Sequence, residues 1–318
     1  MPEDYSESKK MTHDLTYEHC MELMPQWQGQ ELRIDVLTGG ITNTLYRVRL
    51  SNGQDYVVRV YGKRTELFIN RAMEAENIRL MAASGISSKL VKYLPEKNVT
   101  IVEYIAGTVV KNDDFLKVEA LEALIRPIKL MHNTRVRLPK LFDPLEGIVQ
   151  LYQVYRDLCP EYPEFDIQGT IDALQRIWAM TDISRSDYVP CHNDLLADNF
   201  IMAEDRNRYL ERCYLIDWEY AGMSTPYYDI SDMFQEILVP MKIEEAILRI
   251  YWEDSHMEEH IRKTDMLKPF PDIYWFLWSL IQLNVSSIEF DYYNYGRIKH
   301  ENAQRNIAKL KVKHGLQI

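Results

Sequence analysis

The sequence predicts an α+β fold with a small, β-rich N-terminal lobe, residues 1–104, and a larger, mostly helical C-terminal lobe, residues 105–318. Its 318 residues, 46% of them hydrophobic, are enough to bury more than one core. Patterns typical of strands cluster before residue 104, and patterns typical of helices dominate the remainder. A short hinge near residues 103–108 separates the two kinds of pattern, which favours two lobes over one.

The N-terminal lobe is predicted from a β-hairpin and its neighbours. Residues 44–50 and 56–61 are rich in β-branched and aromatic side chains, and Asn52-Gly53 lies between them. Asn-Gly in that position is a strong hairpin signal, because both residues tolerate the positive φ of a tight turn. The other predicted elements are a strand at 34–37, a helix at 66–84 that stops at Gly85, and strands near 90–94 and 99–104.

The C-terminal lobe is predicted from helical periodicity. The predicted helices cover residues 116–132, 230–238, 243–252, 272–287 and 297–313. Residues 221–228, rich in Gly, Pro, Ser and Thr, are predicted to form a loop. The most apolar stretch, 273–285, contains three polar residues and is shorter than the roughly 20 apolar residues that cross a bilayer. No membrane span is therefore expected.

Composition narrows the class of protein. The formal net charge is −11, which argues against nucleic acid as a partner because a phosphate backbone would be repelled. The four cysteines are scattered and form no C-x-x-C pair, which favours reduced thiols over disulfides or a zinc site. The first residues are polar and acidic, unlike a signal peptide. These features predict a cytoplasmic protein.

Two polar clusters carry the chemistry. His192-Asn193-Asp194 is followed after four residues by Asn199, and an apolar run later ends in Asp217-Trp218-Glu219. Phosphoryl transfer uses an aspartate to orient and deprotonate a hydroxyl, and an amide with a second carboxylate to hold magnesium on the nucleotide phosphates. Each residue alone has a simpler explanation: a turn or capping aspartate, a hydrogen-bonded structural pair, or a structural carboxylate at Glu219. The complete spacing favours a small-molecule kinase, with His192 holding the backbone rather than reacting.

Several motifs resemble the choline/ethanolamine kinase family, within the wider aminoglycoside-phosphotransferase-like group. The similarity runs from about Leu37 to about Tyr295. Its motifs are the two polar clusters, Tyr228-Asp229-Ile230, Trp275-x-x-Trp278, and the run from Ser286 to Phe290. The resemblance implies a bilobal, protein-kinase-like fold and transfer of the γ-phosphate of ATP, with Mg²⁺, to the hydroxyl of an amino alcohol.

By motif position, the resemblance implies that Asp194 is the catalytic base and that Asn199 and Asp217 are metal ligands, assisted by Glu219. It also implies an ATP site formed by Gly39, Gly40, Asn43, Arg59, Glu74, Glu103 and Ile105. Within that set, Arg59 stands where protein kinases carry a phosphate-binding lysine, and Glu74 would be its helix partner. The simpler alternatives are an ordinary tight turn at Gly39-Gly40 and a strand-surface arginine at Arg59.

The resemblance implies an acceptor pocket formed by Asp194, Tyr220, Glu236, Trp275, Trp278, Ile288, Phe290 and Tyr295. Trp275 and Trp278 lie three residues apart and so share a helix face. A quaternary ammonium donates no hydrogen bonds, so aromatic faces must hold it, at roughly 0.5–2 kcal/mol per contact. Core packing is the alternative explanation for the tryptophans. Ungapped counting from Asp217 puts Met241 where some relatives have a pocket tyrosine, which leaves choline or ethanolamine open.

The leading hypothesis is an ATP-dependent choline kinase that yields phosphocholine and ADP for phospholipid metabolism, as a monomer or homodimer. Alternative acceptors are ethanolamine, thiamine and an aminoglycoside. A catalytically inactive nucleotide-binding module is a third possibility, although neither Asp194 nor Asp217 is lost. A metal hydrolase would need a second histidine at ligand spacing near His192, and the sequence has none there.

Overall fold

The computed structural model describes residues 15–37, 43–62, 69–203, 212–286 and 288–318. The chain divides into two compact units. The smaller comprises Met1–Thr65 and Leu90–Tyr104, and the larger comprises Glu66–Lys89 and Ile105–Ile318. The predicted α+β class is confirmed. The lobe boundaries, 1–104 and 105–318, stay a prediction. In the division by contacts, residues 66–89 group with the larger unit.

The smaller unit contains a five-stranded antiparallel sheet. Its elements are α1 (Tyr17–Leu23), β1 (Leu32–Leu37), β2 (Asn43–Leu50), β3 (Asp55–Tyr61), β4 (Leu90–Leu94) and β5 (Val99–Glu103), with strand order β1-β2-β3-β5-β4. The predicted hairpin is β2–β3, in which Leu45 faces Arg59. Gly53 in its turn has φ +86°, a backbone conformation that favours glycine. Val48, Val58 and Ile101 form the buried centre of this unit.

The larger unit is mainly helical. Its elements are α2 (Arg71–Ala83), β6 (Gly107–Val109), α3 (Val118–His132), α4 (Pro144–Leu158), α5 (Ile167–Ala179), β7 (Val189–Cys191), β8 (Phe200–Ala203), β9 (Arg212–Leu215), β10 (Gly222–Ser224), α6 (Pro226–Ile237), α7 (Met241–Trp252), α8 (Met257–Leu267), α9 (Pro269–Val285) and α10 (Tyr292–His314). Strands β6, β8 and β9 form one small sheet, and β7 pairs with β10.

Several predicted boundaries differ from the structure by a few residues, and two of the differences have a clear local cause. The segment 221–228 is not a loop throughout, since it contains β10 and the first turn of α6. Pro226 stands at the start of α6, where its fixed φ suits a helix and its missing N–H is not needed. The final helix begins at Tyr292 rather than residue 297, because the Asp291 side chain accepts a hydrogen bond from the Asn294 N–H, 3.0 Å away.

Helix α9 is the centre of the larger unit's core. Its side chains are buried on nearly all sides, with Phe270, Phe276 and Leu277 fully buried. Helix α10 approaches closely at Gly296, where an added Cβ would lie 2.1 Å from the Ser279 Oγ. Glycine is therefore needed at this crossing. Among the described residues, no helix is both long and apolar enough to cross a membrane.

Candidate active site

The loop that follows β7 carries Asp194 and is held by two carboxylates of α6. The backbone N–H groups of His192 and Asn193 donate to Asp229 at 2.9 and 2.6 Å. The Leu195 N–H donates to Asp232 at 2.7 Å. Asn193 has φ +64°, in the left-handed region that asparagine tolerates. These bonds satisfy buried backbone donors and fix the direction of the loop.

His192 holds backbone, as the sequence predicts. Its Nε2–H donates to the Ile216 carbonyl at 2.8 Å, which ties the Asp194 loop to the segment before Asp217. Burial lowers the pKa of His192, which keeps the ring neutral. A second histidine, His132, contacts Asp229 through Nε2 at 2.8 Å. Asp229 is therefore a shared anchor for the loop and for helix α3.

Asp194 lies in an acidic, poorly hydrated setting. Its residue surface is only 8% exposed. Burial first, and then the nearby Asp232 and Asp217 carboxylates, raise the pKa of Asp194 well above its ordinary value. The Asn199 amide donates to the Asp194 backbone oxygen at 2.8 Å. This hydrogen bond holds the predicted base and a predicted metal ligand next to each other. A carboxyl group with a raised pKa suits proton transfer.

Three carboxylates converge beside this loop. One oxygen each from Glu74, Asp217 and Glu219 lies within 4.8 Å of the others. Hard oxygen ligands of this kind fit a divalent cation such as Mg²⁺. Arg71 links two of them, donating through Nη1 to Glu74 at 2.7 Å and to Glu219 at 2.8 Å. The donor set therefore fits the predicted metal, and the predicted role of Glu219 as a ligand stays a prediction, since Glu219 also pairs with Arg71.

Asp217 occupies an unusual backbone conformation. Its φ is +67°, which costs an L-residue free energy unless the surroundings enforce it. The following residue is fixed in place, since the Trp218 indole N–H donates to the Ser87 Oγ at 2.9 Å. Asn77 on α2 donates to the carbonyls of Trp218 and Ala221. These hydrogen bonds hold the turn that contains Asp217 in place.

The predicted acceptor aromatics form a continuous series of ring contacts. The centroid distances are 5.0 Å for Tyr220–Trp275, 5.8 Å for Trp275–Trp278, 5.8 Å for Trp278–Tyr292, 4.9 Å for Tyr292–Phe290 and 5.9 Å for Phe290–Tyr295. Trp275 also donates its indole N–H to Asp232 at 2.9 Å. Phe290 is 40% exposed and its neighbour Ile288 is 37% exposed, so the series is open to water near Phe290.

The predicted pocket carboxylate Glu236 is already in an ion pair. Its Oε1 lies 2.5 Å from the Nζ of Lys299 on α10. That ammonium is 5.6 Å from the centre of the Tyr295 ring. Asp272 lies 3.9 Å from the same nitrogen. Met241, the position that differs from some relatives, is 74% exposed at the start of α7.

Three residues of this region were not predicted: Arg71, Asp232 and Lys299. Each lies three or four residues from a predicted residue on its own helix, Arg71 before Glu74, Asp232 after Asp229 in the quoted motif, and Lys299 after Tyr295. Residues at that spacing share a helix face. The spacing therefore indicates that each of these residues lies beside a predicted one, although it does not identify the residue that each side chain contacts.

The predicted ATP residues stay predictions. Gly39 and Gly40 lie outside the described residues. Asn43 begins β2, and Glu103 ends β5, both in the smaller unit. Arg59 lies on β3, with its guanidinium 5.8 Å from the Tyr61 ring centre. Ile105 follows the last residue of that unit.

The chain is similar in sequence to known kinases. A sequence model described as Choline/ethanolamine kinase matches residues 34–263. The mouse protein Ethanolamine kinase 2 is 28% identical over 308 residues, covering 87% of this chain and 77% of that protein.

Solved structures share the fold. A choline/ethanolamine kinase family protein from Mesorhizobium loti has a TM-score of 0.75 at 23% identity, covering 91% of this chain and 92% of that one. The choline kinase LicA from Streptococcus pneumoniae has a TM-score of 0.74 at 25% identity, covering 92% and 97%. The predicted protein-kinase-like fold is confirmed. Because the family's sequence model matches most of its length, the chain belongs to the choline/ethanolamine kinase family.

Proposed function

We propose that this protein transfers the γ-phosphate of ATP to the hydroxyl of choline, giving phosphocholine and ADP. Membership of the family makes it a phosphotransferase that uses ATP and a small-molecule acceptor. Choline as the acceptor is the specific part of the proposal. The reaction would supply phosphocholine for phospholipid metabolism, and ATP as co-substrate is consistent with work in the cytoplasm.

The choice of choline rests on one observation: the carboxylates near the ring series already make hydrogen bonds and ion pairs within the protein. Asp232 already accepts from Leu195 and Trp275. Glu236 is paired with Lys299, and Asp272 accepts from Asn306 at 3.3 Å. A primary ammonium brings three N–H donors that need acceptors once it leaves water. A trimethylammonium brings none and is attracted by aromatic faces, so this setting favours choline.

In the proposed reaction, Asp194 acts on the acceptor. Its carboxylate accepts the hydroxyl proton as the oxygen attacks the γ-phosphorus and the bond to the β-phosphate oxygen breaks. The Asp229 and Asp232 hydrogen bonds to residues 192–195 hold the carboxylate in position during this step. Positioning of this kind, together with electrostatic stabilisation, supplies almost all of what an enzyme contributes to phosphoryl transfer.

The metal assignment belongs to the same proposal. Asn199 and Asp217 would hold Mg²⁺, with Glu74 and Glu219 at hand. When bound, the ion neutralises charge on the nucleotide phosphates. Arg71 limits the net negative charge that gathers at these carboxylates before nucleotide binds.

The test is ADP release, measured by a coupled assay across ethanolamine, its mono- and dimethyl derivatives, and choline. Each methyl group replaces one N–H donor, so kcat/KM should rise along the series, by tenfold or more from first to last. The neutral isostere 3,3-dimethylbutanol is the matched control for charge and should be a much poorer acceptor.

Ethanolamine is the second acceptor to consider, since the mouse relative carries that name. A series that falls with methylation would assign ethanolamine instead. No turnover of any amino alcohol above background would remove the proposed function.

A further inference from the structure

From the surroundings of Glu236, we infer that Lys299 is a specificity-determining residue: its ammonium occupies the Glu236 carboxylate and so denies that carboxylate to a primary ammonium on the acceptor. This inference rests on the proposed transfer to an amino alcohol. It adds a residue and a physical cause to the choice between methylated and unmethylated acceptors.

The geometry places an internal ammonium where a substrate ammonium would be expected. Lys299 stands one helical turn after Tyr295 on α10. Its Nζ is 2.5 Å from Glu236 and 3.2 Å from the Gln235 carbonyl oxygen. On its other side is the Tyr295 ring, 5.6 Å away. A carboxylate and an aromatic face are the two groups that bind alkylammonium ions.

Burial shows that this contact is built into the fold. Lys299 is 4% exposed, whereas lysine ammonium groups normally extend into water. Burial acts to lower the pKa of Lys299, but Glu236 and Asp272 outweigh it and raise the pKa above its ordinary value. The side chain is therefore charged near neutral pH, and a buried charge of this kind is retained only when paired.

Glu236 also acts electrostatically on the reacting region. Its charge contributes to raising the pKa of Asp194 and the pKa of Tyr295, after the larger effect of burial on each. Because the Lys299 ammonium lies between the Glu236 carboxylate and the Tyr295 ring, the charge of this pair affects an acceptor bound at that ring. With Lys299 present, one negative charge of this region is offset.

The consequence concerns selectivity more than overall affinity. Without Lys299, both acceptors gain Coulomb attraction to Glu236. Ethanolamine gains charge-assisted hydrogen bonds in addition, which choline cannot form because its nitrogen carries no hydrogen. The ratio of kcat/KM for ethanolamine to kcat/KM for choline should therefore rise when Lys299 is removed. A purely structural lysine would lower both values by the same factor.

The experiment compares the full-length protein with its Lys299→Met and Lys299→Arg variants. Methionine keeps an unbranched stem without charge, and we expect the ethanolamine-to-choline ratio to rise at least tenfold. Arginine keeps the ion pair and should leave the ratio within about threefold of the original. Lys309→Met is the matched control, because Lys309 is exposed on the same helix. Parallel losses for both acceptors in Lys299→Met would overturn the inference.

A second variant keeps the test decisive if Lys299→Met does not fold. In Glu236→Gln the lysine stays, and the amide oxygen can still accept its hydrogen bond. Because Glu236 is occupied in the original protein, the ratio should not change. A selective loss of ethanolamine would mean that Glu236 contacts the acceptor directly, which contradicts the inference.

Dissociation constants of both amino alcohols, measured by calorimetry, separate this inference from the proposed function. They report the ratio even if no turnover is detected. A protein that prefers ethanolamine would refute the choline proposal, yet the change of ratio on removing Lys299 would still decide the role of that residue.

Discussion

Among single residues, Asp194 has a setting that determines its chemistry. Burial first, and then the carboxylates around it, raise the pKa of Asp194. Its neighbours 192, 193 and 195 are fixed through their backbone N–H groups, so the side chain is directed by hydrogen bonds that do not involve its own carboxylate. A base held in this way can be changed chemically without changing the loop that carries it.

The first prediction follows. Asp194→Asn should lower kcat by roughly 10²–10⁴-fold, because an amide cannot accept the hydroxyl proton. The dissociation constant of ATP should stay within about twofold. Asp198→Asn is the control, since Asp198 lies in the same loop but its ion pair with Lys111 is exposed. Activity retained in Asp194→Asn would show that another group takes the proton.

Asp232 is one of the three residues of the site that the sequence analysis does not predict. Its two oxygens accept from Leu195, in the loop of the base, and from Trp275, in the ring series. One side chain thus joins the group proposed to act on the hydroxyl to the group proposed to hold the ammonium. We regard it as a positioning residue.

The second prediction concerns Asp232→Asn. The amide NH₂ would face a donor at one of the two contacts, so one hydrogen bond must be lost. We expect a lower kcat and a higher KM for the amino alcohol, with the KM for ATP unchanged. Steady-state kinetics with each substrate varied in turn measure this, again against Asp198→Asn. An equal rise in both KM values would indicate general loosening of the fold instead.

Among the elements, local signals and distant partners were predicted with different success. The β2–β3 hairpin was predicted because Asn52-Gly53 and its flanking residues specify it within a few positions. The start of α10 was missed because Asp291 caps it after a segment that looked irregular. Asp229 was noted as part of a motif, yet its contacts at residues 192 and 193, 37 and 36 positions away, have no local pattern.

Helices α8 and α10 are joined by one partly buried carboxylate. Asp265 contacts Lys268, Lys313 and His314. Burial acts to raise the pKa of Asp265, but the charge of Lys268 first, and then hydrogen bonds from Lys313 and His314, lower it to about 2. The folded-state pKa is below the unfolded value, so this carboxylate stabilises the fold above the unfolded pKa and loses that effect as pH falls toward about 2.

The third prediction is that Asp265→Asn lowers the free energy of unfolding by about 2 kcal/mol at pH 7. This value follows from the lowering of the Asp265 pKa to about 2. The difference from the original protein should shrink between about pH 4 and pH 2. Denaturant titrations at several pH values would measure it. Asp254→Asn removes an exposed ion pair with Arg249 and should change stability by less than about 0.5 kcal/mol. A pH-independent difference for Asp265→Asn would rule out the ion pairs as its cause.

For the whole molecule, the carboxylates Glu74, Asp217 and Glu219 make stability depend on ligands. They come from α2 and from the segment between β9 and β10, which are far apart in sequence. Like charges brought together by folding repel, and Arg71 pairs with Glu74 and Glu219. A ligand that binds the folded chain and relieves the repulsion should stabilise it by mass action.

The fourth prediction is therefore that ADP with Mg²⁺ raises the melting temperature more than ADP alone. At 100 times its Kd, a ligand adds about 2.7 kcal/mol, which for a chain of this size is a rise of several degrees. Asp217→Asn should reduce the Mg²⁺-dependent part of the rise and leave the part due to ADP alone. Thermal unfolding with and without chelator measures both parts, and Asp198→Asn should behave like the original protein. If Asp217→Asn kept the full Mg²⁺-dependent rise, the ion would bind elsewhere. Asp217 would then not be the metal ligand that acts together with the base Asp194.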